Sequence, residues 1–500
     1  MCTHWVAASN EKWRSRVTQL DPAAKFIIDA APAPESFYAK HRKIYPKLAR
    51  GTYRNVKWTV MLVTLGIYYL LPWVRWDRGP NLPDQAFLLD FANQRLFFGP
   101  IEIWAQEFYF ITGVLVLAAL SLFLVTAIAG RMWCGYACPQ TVWTDLMVTV
   151  ERFFQGDRNA RLRLDASPWT LTKIWKKGAT HASWLFIALA TGGVFVFYFR
   201  DAPTLWTELW AGEASPVAYA FLALFTATTY TLGGFAREQV CNYMCPWPRI
   251  QAAMFDSESL LVSYRDYRGE PRGPHKKGQP WAGRGDCVDC KACVAVCPAG
   301  IDIRNGSQME CIQCALCIDA CNDIMAKLDR PRGLIAYDTF RNLSVSSEEQ
   351  RVPVRLVRPR TALYTALITL VMGIMGVAFA MRSDVEISLI EDRNPLFVRL
   401  SDGGVRNGYT LKILNKTHEP QRFVVGVDGI ATARMSVVGF AGGELPVDAD
   451  GLRAVKIYVT VPRDARASLD GGSTPLRFVV TDAGSGATVV RDTTFRSPEP

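Results

Sequence analysis

The stretch Cys287–Cys321, CVDCKACVAVCPAGIDIRNGSQMECIQCALCIDAC, holds eight of the thirteen cysteines in two runs of one spacing. Each run reads C-x2-C-x2-C-x3-C: Cys287, Cys290, Cys293 and Cys297 before Pro298, then Cys311, Cys314, Cys317 and Cys321 before Asn322. Two-residue gaps let a tight loop offer thiolates to successive corners of a cubane. The spacing is that of bacterial two-cluster ferredoxins, where the fourth cysteine of each run ligates the other cluster. The expected sets are Cys287, Cys290, Cys293 and Cys321 for one [4Fe-4S] cluster, and Cys311, Cys314, Cys317 and Cys297 for the second. Zinc also accepts four thiolates, but two interlocked runs favour iron and sulfide.

Four further cysteines form a second constellation. Cys134-x3-Cys138-Pro139 follows one long apolar run, and Cys241-x3-Cys245-Pro246 follows another. On a helix, residues four apart share a face, and each proline suits the first turn of a new helix. A cysteine just ahead of such a helix gains thiolate character. Two unrelated pairs of buried thiols would explain one motif; identical spacing, with proline, at equivalent places argues for a redox or metal role. Soft thiolates select Cu(I) or iron–sulfur clusters. Cys2 has no partner in the pattern and reads as incidental.

Working outward, five runs lack charge over the length a bilayer-spanning helix needs: Trp58–Val74, Phe108–Ala129, Ala182–Phe199, Val217–Phe235 and Thr361–Met381. Trp58, Trp73, Trp76, Trp133 and Trp184 lie near their ends, where an interfacial aromatic belt is expected. Phe87–Trp104 is apolar but broken by Asp90, Arg95 and Gly99-Pro100, and reads as an interfacial or partly buried loop, not a sixth span. The first residues lack the apolar core of a signal peptide, so the first run is expected to be an uncleaved anchor. The segments 1–57, 130–181 and 236–360 together carry a net +14, whereas 75–107 and 200–216 together carry −4. Positive residues favour the cytoplasmic side. The expected orientation is an inner-membrane protein with its N-terminus and clusters in the cytoplasm and its C-terminal domain in the periplasm.

The bulk charge of +10 therefore records membrane orientation, not nucleic-acid binding. The composition, 50% apolar and 12% aromatic, excludes a disordered or collagenous chain. No phosphate-loop or dinucleotide-binding motif is present. The five histidines, His4, His41, His181, His275 and His418, follow no C-x-x-C, so covalent haem is not expected. His181 reads as a capping or packed residue, and Met372 and Met375 as packing. No cysteine follows Cys321, which excludes a disulfide-stapled exported domain. From Val385 on, short alternating runs such as YTLKIL, RFVVGV and AVKIYVTV alternate with turn clusters at Asp402, Asp470 and Asp482. About seven such strands fit an immunoglobulin-like β-sandwich.

The expected fold is a polytopic α-helical membrane protein of five spans with an inserted two-[4Fe-4S] ferredoxin-like domain and a C-terminal immunoglobulin-like β-sandwich. The expected boundaries are an N-terminal segment 1–57, a four-helix region 58–236, a linker 237–280, the ferredoxin-like domain 281–330, a linker 331–360, a fifth helix 361–381 and the sandwich 382–500.

WCGYACPQTVW (133–143), REQVC (237–241), CP (245–246), MFD (254–256), YRDYRGEPRG (264–273), CPAGIDIRNGSQMECIQCALCIDAC (297–321) and RPRTALY (358–364) closely resemble the CcoG/FixG/RdxA family, accessory factors of cbb3-type cytochrome c oxidase. The resemblance runs through nearly the whole chain, tail included. It implies a membrane-bound cupric reductase in which electrons pass through two [4Fe-4S] clusters and Cu(II) becomes Cu(I) for delivery to the oxidase. Cys134, Cys138, Cys241 and Cys245 are then the expected copper or redox site. Expected partners are the membrane, an unidentified electron donor and, from the resemblance, assembly factors such as a copper-transporting P-type ATPase; self-association is left open. Two alternatives remain at this point: a quinol-linked electron-transfer subunit for an exported reductase, and a non-redox assembly scaffold.

Overall fold

The computed structural model describes residues 43–79, 82–275, 280–345, 347–440, 444–469 and 472–498. Cys2, His4, His41, the basic residues before Lys43 and the turn at Asp470 lie outside them. The chain forms two compact units, Met1–Met375 and Gly376–Pro500.

In the first unit, helices Thr52–Trp73, Ala105–Ala129, Leu171–Phe197 and Pro216–Ala236 are long and apolar enough to cross a membrane; a fifth, Pro359–Ala380, leads out of it. Their outward faces are apolar, with Leu62, Phe186 and Leu363 more than half exposed. The third helix starts well before the uncharged run at Ala182. Thr170 caps it, its hydroxyl accepting the Lys173 N–H at 3.3 Å, and Lys173, Lys176 and Lys177 continue the same helix. Trp184 departs from the belt expectation: it is 4% exposed, packed inside the bundle, and its indole donates to the Met147 carbonyl at 2.9 Å.

The segment read as an interfacial loop is a three-stranded antiparallel sheet, Phe87–Asp90, Arg95–Phe98 and Ile101–Trp104. The residues that broke the apolar run make it. Asp90 pairs with Arg95 across the first hairpin, and Gly99, at φ 57°, turns the second. Arg95 also lies 3.9 Å from the Trp104 ring and 3.3 Å from Glu102. The sheet packs on the end of the third helix, where Leu89 N–H donates to Tyr198 O at 2.7 Å and Gln85 Nε2 to Phe197 O at 2.8 Å.

At the other end of the bundle sits the cysteine-rich domain. It is wider than 281–330: strand Leu261–Tyr264 pairs antiparallel with Ile335–Asp338, so segments read as linkers close its core. That core contains Val262, Ile303, Ile318, Met325, Leu334 and Ile335. Its helix Leu316–Lys327 places Asp319 at the start of the first long helix, accepting the Tyr53 and Arg54 N–H groups at 3.3 and 2.8 Å. A carboxylate there satisfies otherwise orphaned donors and complements the helix dipole.

Beneath this junction lies a layer of buried charge. Arg54, 2% exposed, donates to Asp145 at 2.9 Å. Glu151, 1% exposed, accepts from Arg161 at 3.2 Å and Arg237 at 2.9 Å. Burial alone would raise both carboxyls; for Asp145 the charges of Lys57 and Arg54, and for Glu151 those of Arg237 and Arg161, outweigh it and hold each below the usual range.

The second unit is a β-sandwich. Nine strands are found among its described residues, in a five-stranded and a four-stranded antiparallel sheet. All seven expected runs contain strands, FVRL only at Val398–Arg399; two additional four-residue strands, Arg434–Val437 and Glu444–Val447, lie between RFVVGV and AVKIYVTV. Strand Val405–Asn415 alternates buried and half-buried positions along most of its length, and Tyr409, Phe423, Phe478 and Phe495 fill the interior.

Replacing Asp145 by Ala leaves the Arg54 guanidinium buried without its carboxylate. The expected loss is about 3–5 kcal/mol, read as a lower thermal unfolding midpoint in detergent; an unchanged midpoint would show that Arg54 finds water.

Candidate metal centres and a four-thiol cavity

The two cysteine runs fold into matching loops. In each, the residues flanking the second cysteine take positive φ: Asp289 (51°) and Lys291 (53°) around Cys290, and Gln313 (56°) and Ala315 (58°) around Cys314. Four non-glycine residues in this costly region, at equivalent places, mark backbone forced to curl around something. The thiols meet across the runs. Burial pushes the Cys321 thiol up to about 12, and Cys293, Cys290 and Cys287 of the first run add to that push. Cys297 is likewise pushed up to about 12 by burial, then by Cys314 and Cys311 of the second run. All eight are free cysteines, none in a disulfide. Two tetrads of convergent thiols on loops of this curl fit two [4Fe-4S] clusters, with Cys287, Cys290, Cys293 and Cys321 holding one and Cys311, Cys314, Cys317 and Cys297 the other. Such clusters supply one-electron redox chemistry.

The second constellation also converges, though not on regular helix faces. The helix Met132–Tyr136 carries Cys134 and ends at once, with the Ala137 and Cys138 N–H groups both donating to Trp133 O at 3.0 and 2.9 Å. Cys138 then caps helix Pro139–Gln155, whose first residue is the proline. Cys241 lies in a π-helical turn, Val240–Met244, which Cys245 closes by donating to Val240 O at 2.8 Å. Here Pro246 is the cap of the next helix, Trp247–Ala253, rather than its first residue.

Cys134, Cys138, Cys241 and Cys245 all line one cavity of about 300 Å³, together with Met309 and Glu310 from the loop between the cysteine runs. The Cys134 thiol donates to Gln251 Oε1 at 3.2 Å. Burial, then the nearby Cys138, raises Cys134 to about 12, and the same pair of causes raises Cys241 to about 11. As free thiols these two are protonated at neutral pH, and a bound soft cation would be needed to hold them as thiolates.

Residues invisible as a motif join this cavity to the second cysteine loop. The buried Arg131 guanidinium donates to the carbonyls of Met309, Cys311 (3.3 Å) and Pro248 (2.6 Å). Arg131 N–H donates to Gln313 Oε1 at 2.9 Å. Gly135, between Cys134 and Cys138, lies so close to the loop that a Cβ there would stand 2.7 Å from Ile312 O and 3.0 Å from the Cys314 backbone. Glycine between two cysteines was the only hint of this in the sequence.

Comparison with known proteins gives the arrangement a family. A 4Fe-4S dicluster domain model matches residues 236–340, a 4Fe-4S binding domain model matches 111–157, and a model of the IG-like fold at the C-terminus of FixG matches 375–498. The chain is 48% identical to "Nitrogen fixation protein FixG" of Rhizobium meliloti, over 97% of this chain and 98% of that one. It belongs to the FixG/RdxA family. Two relatives from Cereibacter sphaeroides, "Protein RdxA" and "Protein RdxB", are each 50% identical, over 90% and 92% of this chain and 96% and 97% of their own. The FixG family is one of iron–sulfur oxidoreductases, and electron transfer is the activity it suggests for this chain. The 111–157 match contains Cys134 and Cys138, and the 236–340 match contains Cys241 and Cys245 with all eight run cysteines.

Gly135→Ala should force the Cys134–Cys138 turn off the Cys311–Cys317 loop at a cost of about 1–3 kcal/mol. The expected readouts are a lower unfolding midpoint and a changed EPR signal from one of the reduced clusters. A variant indistinguishable from the parent in both would mean the two loops are not in contact.

Proposed function

We propose that the chain is an inner-membrane cupric reductase. Its clusters and the four-thiol cavity face the cytoplasm and its sandwich domain faces the periplasm, the orientation favoured by the charge asymmetry between connections. Cu(II), the substrate, enters the cavity, gains one electron and leaves as Cu(I); the clusters that the eight run cysteines would hold would supply that electron. Four thiols and the Met309 thioether are soft donors that stabilise Cu(I) over Cu(II) and so favour the reduction. Cu(I) is then handed to the machinery that assembles a cbb3-type oxidase, a copper-transporting P-type ATPase among the partners.

The observation that carries this reading is the convergence of Cys134, Cys138, Cys241 and Cys245 in one cavity against the Met309–Cys311 segment. The second reading rests on the 4Fe-4S binding domain match at 111–157. In it the same four thiols hold a third cluster, which relays electrons to an acceptor elsewhere.

Anaerobically purified protein distinguishes them. The copper reading expects about eight irons per chain and Cu(II) reduction by protein that has been reduced with dithionite and freed of the excess, followed with a Cu(I) chelator. Cys134→Ser with Cys241→Ser should abolish most of that reduction while iron content stays the same. About twelve irons per chain, falling to about eight in the double variant, would replace it with the third-cluster reading. Cupric reduction unaffected by the double variant would remove the site assignment.

A further inference from the structure

A larger cavity, of about 580 Å³, opens beside the third and fourth long helices, near the end that carries the four-thiol site. His181, Trp184 and Phe235 line it as an aromatic corner. The imidazole stacks on Phe235 at 5.7 Å with the rings 17° apart, and meets Trp184 edge-on at 5.1 Å. The His181 Nδ1 lies 3.1 Å from the Tyr230 hydroxyl, and no hydrogen-bond partner of Nε2 is found among the described residues. The lining also has a polar part: Lys177, one turn before His181 on the same helix, Glu151, and Arg237, whose guanidinium lies 5.3 Å from the Trp184 ring. Thr231 and Phe235, on the same wall of the fourth helix, are exposed on the apolar flank of the bundle.

The backbone here is unusual. Tyr230–Ala236 is a π-helical turn, rare and concentrated at functional sites. Arg237, which ends it, has φ 41°, a strained value for a side-chain-bearing residue, held by Nε donating to Gly234 O at 2.7 Å and by Glu151. Trp184 presses on Gly234, where a Cβ would stand 2.9 Å from the indole. Arg237 and Glu238 also line a neighbouring cavity that contains Cys241, and Cys241 lines the four-thiol cavity. The two sites are therefore joined through the five-residue segment Arg237–Cys241.

A planar ring with polar oxygens, arriving from the lipid, matches these features together: a stacking corner, an imidazole nitrogen held ready by a tyrosine, a polar part of the lining and a mouth on the apolar flank. We propose that this cavity binds the headgroup of a membrane quinol, which is the electron donor; the proposal rests on the electron-transfer reading above. The hydroquinone gives up two electrons and two protons and leaves as the quinone. The two clusters that the eight run cysteines would hold would accept those electrons, one each. With Nδ1–H directed to Tyr230, His181 Nε2 takes the first proton, and the second passes to water at the polar part of the lining. His181 is thus a catalytic residue, a general base touching the substrate.

The test uses full-length protein with its clusters intact, in lipid nanodiscs under anaerobic conditions, with a short-tailed benzoquinol or naphthoquinol as the probe. Reduction of the clusters is followed by EPR, with dithionite as the reference reductant. The expected result is quinol-driven reduction in the parent, slowed about tenfold or more, the scale of one lost hydrogen bond to the ligand, in His181→Ala. Thr231→Trp, on the exposed rim, should block the mouth with a similar loss and guards against a folding defect in the first variant. Iron content and the EPR signal of the dithionite-reduced clusters should match the parent in both. Parent clusters that dithionite reduces and neither quinol does would overturn the proposal, as would two variants that respond to quinol like the parent. If the clusters accept electrons from quinol but copper is not reduced, the copper reading fails and the quinol site stands.

Discussion

The Arg131 guanidinium holds together three segments that the chain brings from far apart: the turn bearing Cys134 and Cys138, the Pro248 turn that follows Cys245, and the loop that begins the second cysteine run. It is buried, and burial lowers its pKa, opposed by the charges of Cys311, Cys134 and Glu310. A buried cation is costly unless its donors are met, and here they are met by backbone carbonyls, which cannot titrate. The result is a fixed positive charge between two groups of sulfur ligands. Iron–sulfur and copper–thiolate centres carry net negative charge, and a nearby cation raises the affinity of such centres for an electron. The same side chain therefore supports the fold and places a cation beside the cysteines that would hold the second cluster.

Around it, the end of the bundle that meets the cysteine-rich domain is built from paired charges as well as apolar contacts. Asp319 reaches the first long helix, Asp145 meets Arg54, and Glu151 sits between Arg161 and Arg237. Buried pairs of this kind add little net stability compared with apolar packing, but losing one partner is severe. Their positions set which helix end meets which loop, and so which cysteines come together. Glu151 has a second neighbour: it lines the large cavity on which His181 and Trp184 converge, so one carboxylate borders both the structural layer and the proposed donor site.

Much of this was legible from local spacing. A cubane dictates two-residue gaps whatever the rest of the fold does, so the eight run cysteines could be read from sequence, as could the five apolar helices and seven of the nine described strands. What escaped were features set by distant partners. The helix at Leu171 extends through three lysines because Thr170 caps it, a signal weaker than the charges that seemed to end it. Trp184 resembled a belt residue but is buried, because Met147 offers its indole a carbonyl. The strands Leu261–Tyr264 and Ile335–Asp338 complete a domain from segments with no cysteine. The Cys134 motif could be paired with the Cys241 motif by repetition, but Gln251 and Gln313, which bond to Cys134 and Arg131, stand 117 and 182 residues away. Solitary glutamines carry no pattern.

The carboxylate of Asp319 has a further meaning when the chain is considered in the order of its synthesis. The first long helix is made early, yet the group that receives its Arg54 N–H lies 265 residues later. Asp319 sits on the helix that also carries Cys317 and Cys321. The ribosome must therefore deliver four hydrophobic segments and most of both cysteine loops before that first segment has its end sealed. Assembly closes backward onto its beginning, and the residue that closes it lies between two of the cysteines expected to hold the clusters.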